Sequence, residues 1–238
     1  MAFLQSITSA STLVLSTKLI KGGLFMNILE NMKNILASWT TIATLFGVLI
    51  LLCVFIKVKH IKFTSRLTTH IALAVAMSVI LQFFKFFEFP LGGSATLASM
   101  LPIILISLIY GPTIGMFTGF VYGILNFVIG PAYILHPIQV LFDYTLPFMA
   151  IGLSGFFKKN KYLAIIVAFF ARFIFHYIAG IIFWGSYAAE YNLTPAVYSL
   201  VYNGTYILID CIICIAVCSV INLNSLTKRL APYTNNSI

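Results

Sequence analysis

Residues 162–183 read YLAIIVAFFARFIFHYIAGIIF. A helix crossing the hydrocarbon core of a bilayer needs about 20 predominantly apolar residues, and this stretch supplies them. The helix of a soluble domain would carry a polar face. Here the ionisable side chains are Arg172 and His176, one helical turn apart, and the rest is aliphatic or aromatic. Lys158, Lys159 and Lys161 stand before it, and an uncharged loop, Trp184–Gly185–Ser186, follows. The segment therefore predicts a membrane span with a basic side and an uncharged side.

The rest of the chain fits that reading. It has 238 residues, 61% apolar and 8% charged. Soluble domains are about a quarter charged, so most soluble enzymes are excluded. Further spans are predicted at about 35–56, 67–87, 97–110, 112–129, 137–157 and 195–222, separated by Gly/Pro breaks such as Gly111-Pro112, Gly130-Pro131 and His136-Pro137. The stretch FEFPLGGSATL after the second of these reads as a Pro/Gly-rich loop. The fold class is all-α, a polytopic membrane helical bundle. Residues 1–25 are rich in Ser and Thr, with no compact basic start and no cleavage signal. Met26 offers a second start, MNILENMKNILASW.

Charge sets the expected orientation. With alternating spans, the loops at 57–66 and 158–161 and the C-terminal tail share one side. They hold nine of the fourteen Lys and Arg, so that side is expected to be cytoplasmic. The loops at 88–96, 130–136 and 184–194 carry no Lys or Arg and are expected outside. Lys18, Lys21 and Lys33 run against this pattern for the first span alone. The net charge of +9 therefore marks topology rather than nucleic-acid binding.

Ionisable groups inside spans usually face a cavity or a partner. Asp143 lies seven residues past His136, about 10 Å along a helix. His176 lies as far from the outer end of its own helix, and Asn203 lies eight residues past Pro195. Tyr133, Tyr144, Trp184, Tyr198 and Tyr202 cluster at the same level. These positions predict an outward-opening pocket with a carboxylate, an imidazole, an amide and aromatic faces, suited to a flat, cationic, hydrogen-bonding ligand. Arg172 is expected to pair with a carboxylate, Asp210 being a candidate, or to snorkel. Lys85 is expected to snorkel from a helix end. Cys211, Cys214 and Cys218 share one helix face and read as small apolar packing. Ala72 and Ala76 form a small-xxx-small face for a partner helix or for internal packing. There is no Walker A sequence, no His-Glu-x-x-His and no Gly-x-Ser-x-Gly. No enzyme activity, metal or cofactor is expected.

Residues 66–222 resemble a known family. RLTTHIALAVA, PLGGSATLASMLPI, GPAYILHPIQVLFDYTLPFMAIGLSG and ARFIFHYIAGIIFWGSYA, followed by VYSLVYNG, are similar in order and spacing to the thiamine-specific S components (ThiT/YuaJ type) of energy-coupling factor (ECF) transporters. The resemblance implies a six-helix substrate-binding domain over 66–224, capturing thiamine from outside for ATP-driven uptake. Residues 1–34 then form an N-terminal segment, 35–65 an extra transmembrane helix with its basic loop, and 225–238 a cytoplasmic tail.

The substrate-binding positions it implies are Tyr133, Asp143, Tyr144, His176, Gly180, Trp184, Tyr198 and Asn203. Gly180 is added by the resemblance alone, its missing side chain giving ligand access to the helix. Asp143 would hold the positive or aminopyrimidine part of thiamine, Trp184 and the tyrosines would stack on its rings, and Asn203 and His176 would hydrogen-bond. The implied partners are a transmembrane coupling subunit docking on Ala72 and Ala76, and two cytoplasmic ATPases. Some family members have Glu at the position of Asp143, and some have Trp where this chain has Gly92-Gly93. The residues alone leave other readings open: a stand-alone proton-coupled transporter titrating His176 and Asp143, an S component for another vitamin, or an intramembrane lipid enzyme.

Overall fold

The computed structural model describes residues 63–130 and 133–222 continuously, with isolated positions between 26 and 61 and Ser225. The expected segment 1–34, the body of the span at 35–56 and the tail 225–238 lie almost wholly outside these residues. The described helices are α1 (Ser65–Leu81), α2 (Leu101–Tyr110), α3 (Pro112–Ile129), α4 (Pro137–Phe157), α5 (Lys161–Ile182) and α6 (Pro195–Val220). Among them α3 to α6 are long and apolar enough to cross a membrane. A two-stranded antiparallel hairpin joins α1 to α2, with β1 at Lys85–Glu88 and β2 at Ser94–Thr96.

Two expected spans are shorter than the sequence suggests. The second, expected to reach Phe87, stops as a helix at Leu81. The following Lys-Phe-Phe-Glu run is rich in aromatics that suit a pleated strand. Lys85 therefore does not snorkel from a helix end; it lies in β1 and pairs with Glu88 at 2.8 Å. The third, expected from Leu97, is helical only from Leu101, because Ala98 takes a left-handed φ of 54°. It ends at Gly111, whose φ of +97° suits glycine. Ten residues of helix reach about 15 Å, half a hydrocarbon core.

Capping follows from sequence. Thr64, Asn160 and Thr194 each accept a backbone N–H in the first turn of α1, α5 and α6. Lys161 donates from Nζ to the Cys218 carbonyl at 2.7 Å, tying the start of α5 to the end of α6. The core between α2, α5 and α6 includes Ile103, Ile104, Ile165 and Cys214, all essentially inaccessible.

Glycines set the α3–α4 contact. Gly119 and Gly123 lie one turn apart on α3. A Cβ on Gly119 would come within 2.0 Å of the Phe148 carbonyl oxygen, and one on Gly123 within 2.1 Å of the Tyr144 carbonyl oxygen. Only glycine allows backbones this close, and such seams are how apolar helices associate where lipid offers no hydrophobic drive. The seam fixes the part of α4 that carries Asp143 and Tyr144.

That part is not regular. The Leu146 N–H reaches back five residues to the Leu141 carbonyl, making one wide turn over Leu141–Thr145. Pro147 explains it. A proline ring in a regular helix clashes with the carbonyl four residues earlier, here Asp143, and supplies no N–H to it. Widening the turn relieves the clash. It also sends the adjacent side chains of Asp143 and Tyr144 to the same cavity.

Candidate functional site

The cavity lies between the hairpin and the ends of α3 to α6 remote from Lys158, Lys159 and Lys161. Its volume is about 410 Å³, within the range of small-molecule sites. Tyr133, Asp143, Tyr144, His176, Gly180, Trp184, Tyr198 and Asn203 all line it. The eight positions come from a loop, α4, α5, the turn after α5, and α6, so the fold gathers residues up to 70 apart in sequence.

Asp143 is the electrostatic centre. Its Oδ2 accepts from Trp184 Nε1 at 3.0 Å and from Gln139 Nε2 at 2.7 Å. Its Oδ1 faces His176 Nδ1 at 3.5 Å. Among the described residues no Lys or Arg pairs with it, whereas Glu88 is paired with Lys85 and Asp210 with Arg172. A carboxylate held by neutral donors keeps its negative charge available for a cation.

Aromatic rings build the walls. Tyr198 and Tyr202 stack with centroids 5.8 Å apart, and Tyr191, outside the cavity lining, continues the stack 5.6 Å from Tyr198, both pairs with interplanar angles near 25°. Trp184 meets Tyr133 edge-on at 6.0 Å. The Tyr133 N–H donates to the Tyr144 hydroxyl at 2.9 Å, holding the 133–136 loop over α4. Negative ring faces and one carboxylate without a Lys or Arg partner among the described residues are complementary to a flat organic cation, the other lining carboxylate, Glu88, being paired with Lys85.

The floor is polar and anchored by an ion pair, with Arg172 Nε left unpartnered. Arg172 Nη1 donates to Asp210 Oδ2 at 3.1 Å, with both side chains buried, so the pairing anticipated for Arg172 is present. Asp210 Oδ1 accepts from the Thr96 hydroxyl at 3.0 Å and from the Thr96 N–H at 3.3 Å. This ties β2 to α5 and α6. A second tie runs from the Gly93 N–H to the Tyr202 hydroxyl at 3.0 Å. The space beside Gly93 is occupied: a Cβ there would lie 2.9 Å from Tyr202 Oη and from the Tyr206 ring.

Asn203 donates from Nδ2 to the His176 carbonyl at 3.2 Å and accepts from the Tyr206 hydroxyl at 3.0 Å. Its amide is therefore engaged with α5 before any ligand arrives. Gly180 also serves the α5–α6 contact, since a Cβ would come within 2.1 Å of Ser199 Oγ. At the cavity wall, His176 Nε2 is buried and unpartnered.

Sequence reasoning missed Gln139, Thr96, Tyr206 and the Gly119–Gly123 seam. Gln139 stands four residues before Asp143, so its helical spacing is a usable signal. Tyr206 stands three residues past Asn203 on α6, so helical spacing is a usable signal there too. Thr96 cannot be found that way, because its role depends on a hairpin that hydropathy does not reveal.

The family profile described as thiamine transporter protein (Thia_YuaJ) matches residues 68–230. The chain belongs to this family. It is thus a membrane transport protein and not an enzyme. It is 37% identical over 163 residues to thiamine transporter ThiT of Bacillus subtilis (strain 168), covering 60% of this chain and 83% of that protein. It is 31% identical over 141 residues to thiamine transporter ThiT of Lacticaseibacillus paracasei, covering 51% of this chain and 70% of that protein. The solved structure of ThiT from Listeria monocytogenes aligns with a TM-score of 0.56 and 28% identity, over 68% of this chain and 93% of that one.

Proposed function

We propose that the chain is the substrate-binding membrane subunit of an ECF-type vitamin transporter and that it captures thiamine in the cavity around Asp143. The observation that carries this reading is a carboxylate with no Lys or Arg partner among the described residues, held by an indole and a carboxamide within aromatic walls. Thiamine presents a thiazolium cation and a flat aminopyrimidine with hydrogen-bonding edges. Asp143 faces the cationic or amino portion. Trp184, Tyr133 and the Tyr198 stack contact the rings. His176 supplies a free ring nitrogen, and Asn203 holds α5 against α6 and borders the ligand. Relatives bearing the thiamine transporter name support this ligand.

The cavity opens at the end of the bundle away from the basic loops, which supports an outward-facing site and a cytoplasmic C-terminus. Ala72 and Ala76 lie on the exposed face of α1 with Leu73, Met77 and Ile80. This face docks on a transmembrane coupling subunit, which works with two cytoplasmic ATPases in the cell membrane.

Uptake of labelled thiamine by cells carrying the chain tests the energy source. ATP depletion should abolish uptake at a maintained proton gradient, and an ionophore at maintained ATP should leave most of it. The reverse pattern would instead support proton coupling through His176 and Asp143.

A further inference from the structure

We propose that Gln139 is a positioning residue that fixes which oxygen of Asp143 meets the ligand and locks the loop bearing Tyr133 to that carboxylate. The inference rests on the binding role proposed for Asp143 and deepens it.

Gln139 is fully buried, and its carboxamide is fully used. Nε2 donates to Asp143 Oδ2 at 2.7 Å and to the Tyr133 carbonyl at 3.1 Å. Oε1 accepts from the Leu135 N–H at 3.1 Å. The opposite amide orientation would set its oxygen against a carboxylate and a carbonyl, both acceptors, so the partners determine the orientation. Both Nε2 protons are therefore committed, one to the anion and one to the loop.

The consequence is geometric. With the Trp184 indole also on Oδ2, that oxygen has two N–H donors. Oδ1 is left turned towards His176 and the cavity. Without Gln139 the carboxylate could rotate about its terminal torsion, which is broad for Asp. The same amide holds the backbone of residues 133–135, which puts the Tyr133 ring opposite Trp184. Charge and ring wall are thus set by one side chain. A leucine or methionine would fill the volume but leave the Tyr133 carbonyl and the Leu135 N–H without their partner and Asp143 with one donor fewer.

A double-mutant cycle tests this. The purified full chain, its Gln139→Met and Asp143→Ala variants and the double variant are titrated with thiamine, following Trp184 fluorescence in a Trp39→Phe background. Loss of a hydrogen bond to a charged group corresponds to about ten- to hundredfold weaker binding for Gln139→Met. The double variant should lose less than the product of the two single losses, because the part of Gln139's effect that acts through the carboxylate is already gone in Asp143→Ala while its hold on the Tyr133 loop remains. Losses that multiply, or a Gln139→Met protein that binds like the native chain, would overturn the proposal, since a residue that only packs the loop adds its own cost. If the native chain gives no response to thiamine, the ligand assignment fails. The cycle is then read in the melting midpoints of the four ligand-free proteins. Non-additive midpoints support the Gln139–Asp143 link, and additive ones overturn it.

Discussion

At the scale of single residues, the two deep carboxylates around the cavity meet different partners. Asp143 is presented to the cavity by neutral donors, while the second deep carboxylate, Asp210, is consumed by Arg172 and Thr96. Both are visible in the sequence as acids inside apolar segments. The sequence offers Asp210 as a candidate partner for Arg172, and the structure shows that pair made. Arg172 stands on the same face of α5 as His176 but points across to α6, with its guanidinium also 5.1 Å from the centre of the Phe148 ring. Gly180, which the family resemblance implies gives ligand access to its helix, lines the cavity and also packs against α6, where a Cβ would come within 2.1 Å of Ser199 Oγ. Gly180→Ala should destabilise the ligand-free protein by an amount typical of overpacking, about 1–3 kcal/mol, and so lower its melting midpoint. An unchanged midpoint with weakened binding would mean that the space belongs to the ligand alone.

At the scale of elements, regular helices are legible in the sequence and irregular ones are not. The spans of α3, α5 and α6 follow from apolar length and Gly/Pro breaks, and their ends lie close to those expected. The hairpin reads in sequence as a Pro/Gly-rich loop, because strands of four and three residues give too little alternation to detect. The wide turn in α4 is also hidden, since hydropathy reports burial and not helical pitch. Its cause is nonetheless a single residue. Pro147→Ala restores an N–H to the position that would bond the Asp143 carbonyl and removes the ring that opposes a regular turn. The variant should keep its helical content by circular dichroism while losing thiamine affinity by about tenfold or more, as Asp143 or Tyr144 rotates out of the cavity; about 1.4 kcal/mol suffices for a factor of ten. Native affinity in that variant would show that the wide turn does not orient the site.

At the scale of the whole molecule, a small set of ties makes the bundle one unit. The α3–α4 glycine seam, the Lys161 cap between α5 and α6, and the Thr96–Asp210–Arg172 cluster connect the hairpin and helices around the cavity. The eight site positions converge on it, and helix counting together with family resemblance places them at similar depth from the sequence alone. The outward face of α1 is chemically different. Ala72 and Ala76 are exposed beside Leu73, Met77 and Ile80, and no cavity residue lies among them except Ile80 at the end. Ala72→Leu with Ala76→Leu should leave thiamine binding by the purified chain unchanged and reduce uptake in cells severely. If uptake persists with both leucines in place, docking does not use this face.

The central claim is that Asp143, held by Trp184 and Gln139, captures thiamine. The most direct measurement is intrinsic fluorescence of the detergent-purified chain in a Trp39→Phe background, with Trp184 as reporter, during titration with thiamine. Saturable quenching below micromolar ligand is expected. Asp143→Asn should lower the affinity about a hundredfold or more, because the variant removes the anion from a charge-assisted pairing in a shielded site. Quenching of equal affinity in Asp143→Asn, or none in the folded native chain, would contradict the role proposed for Asp143.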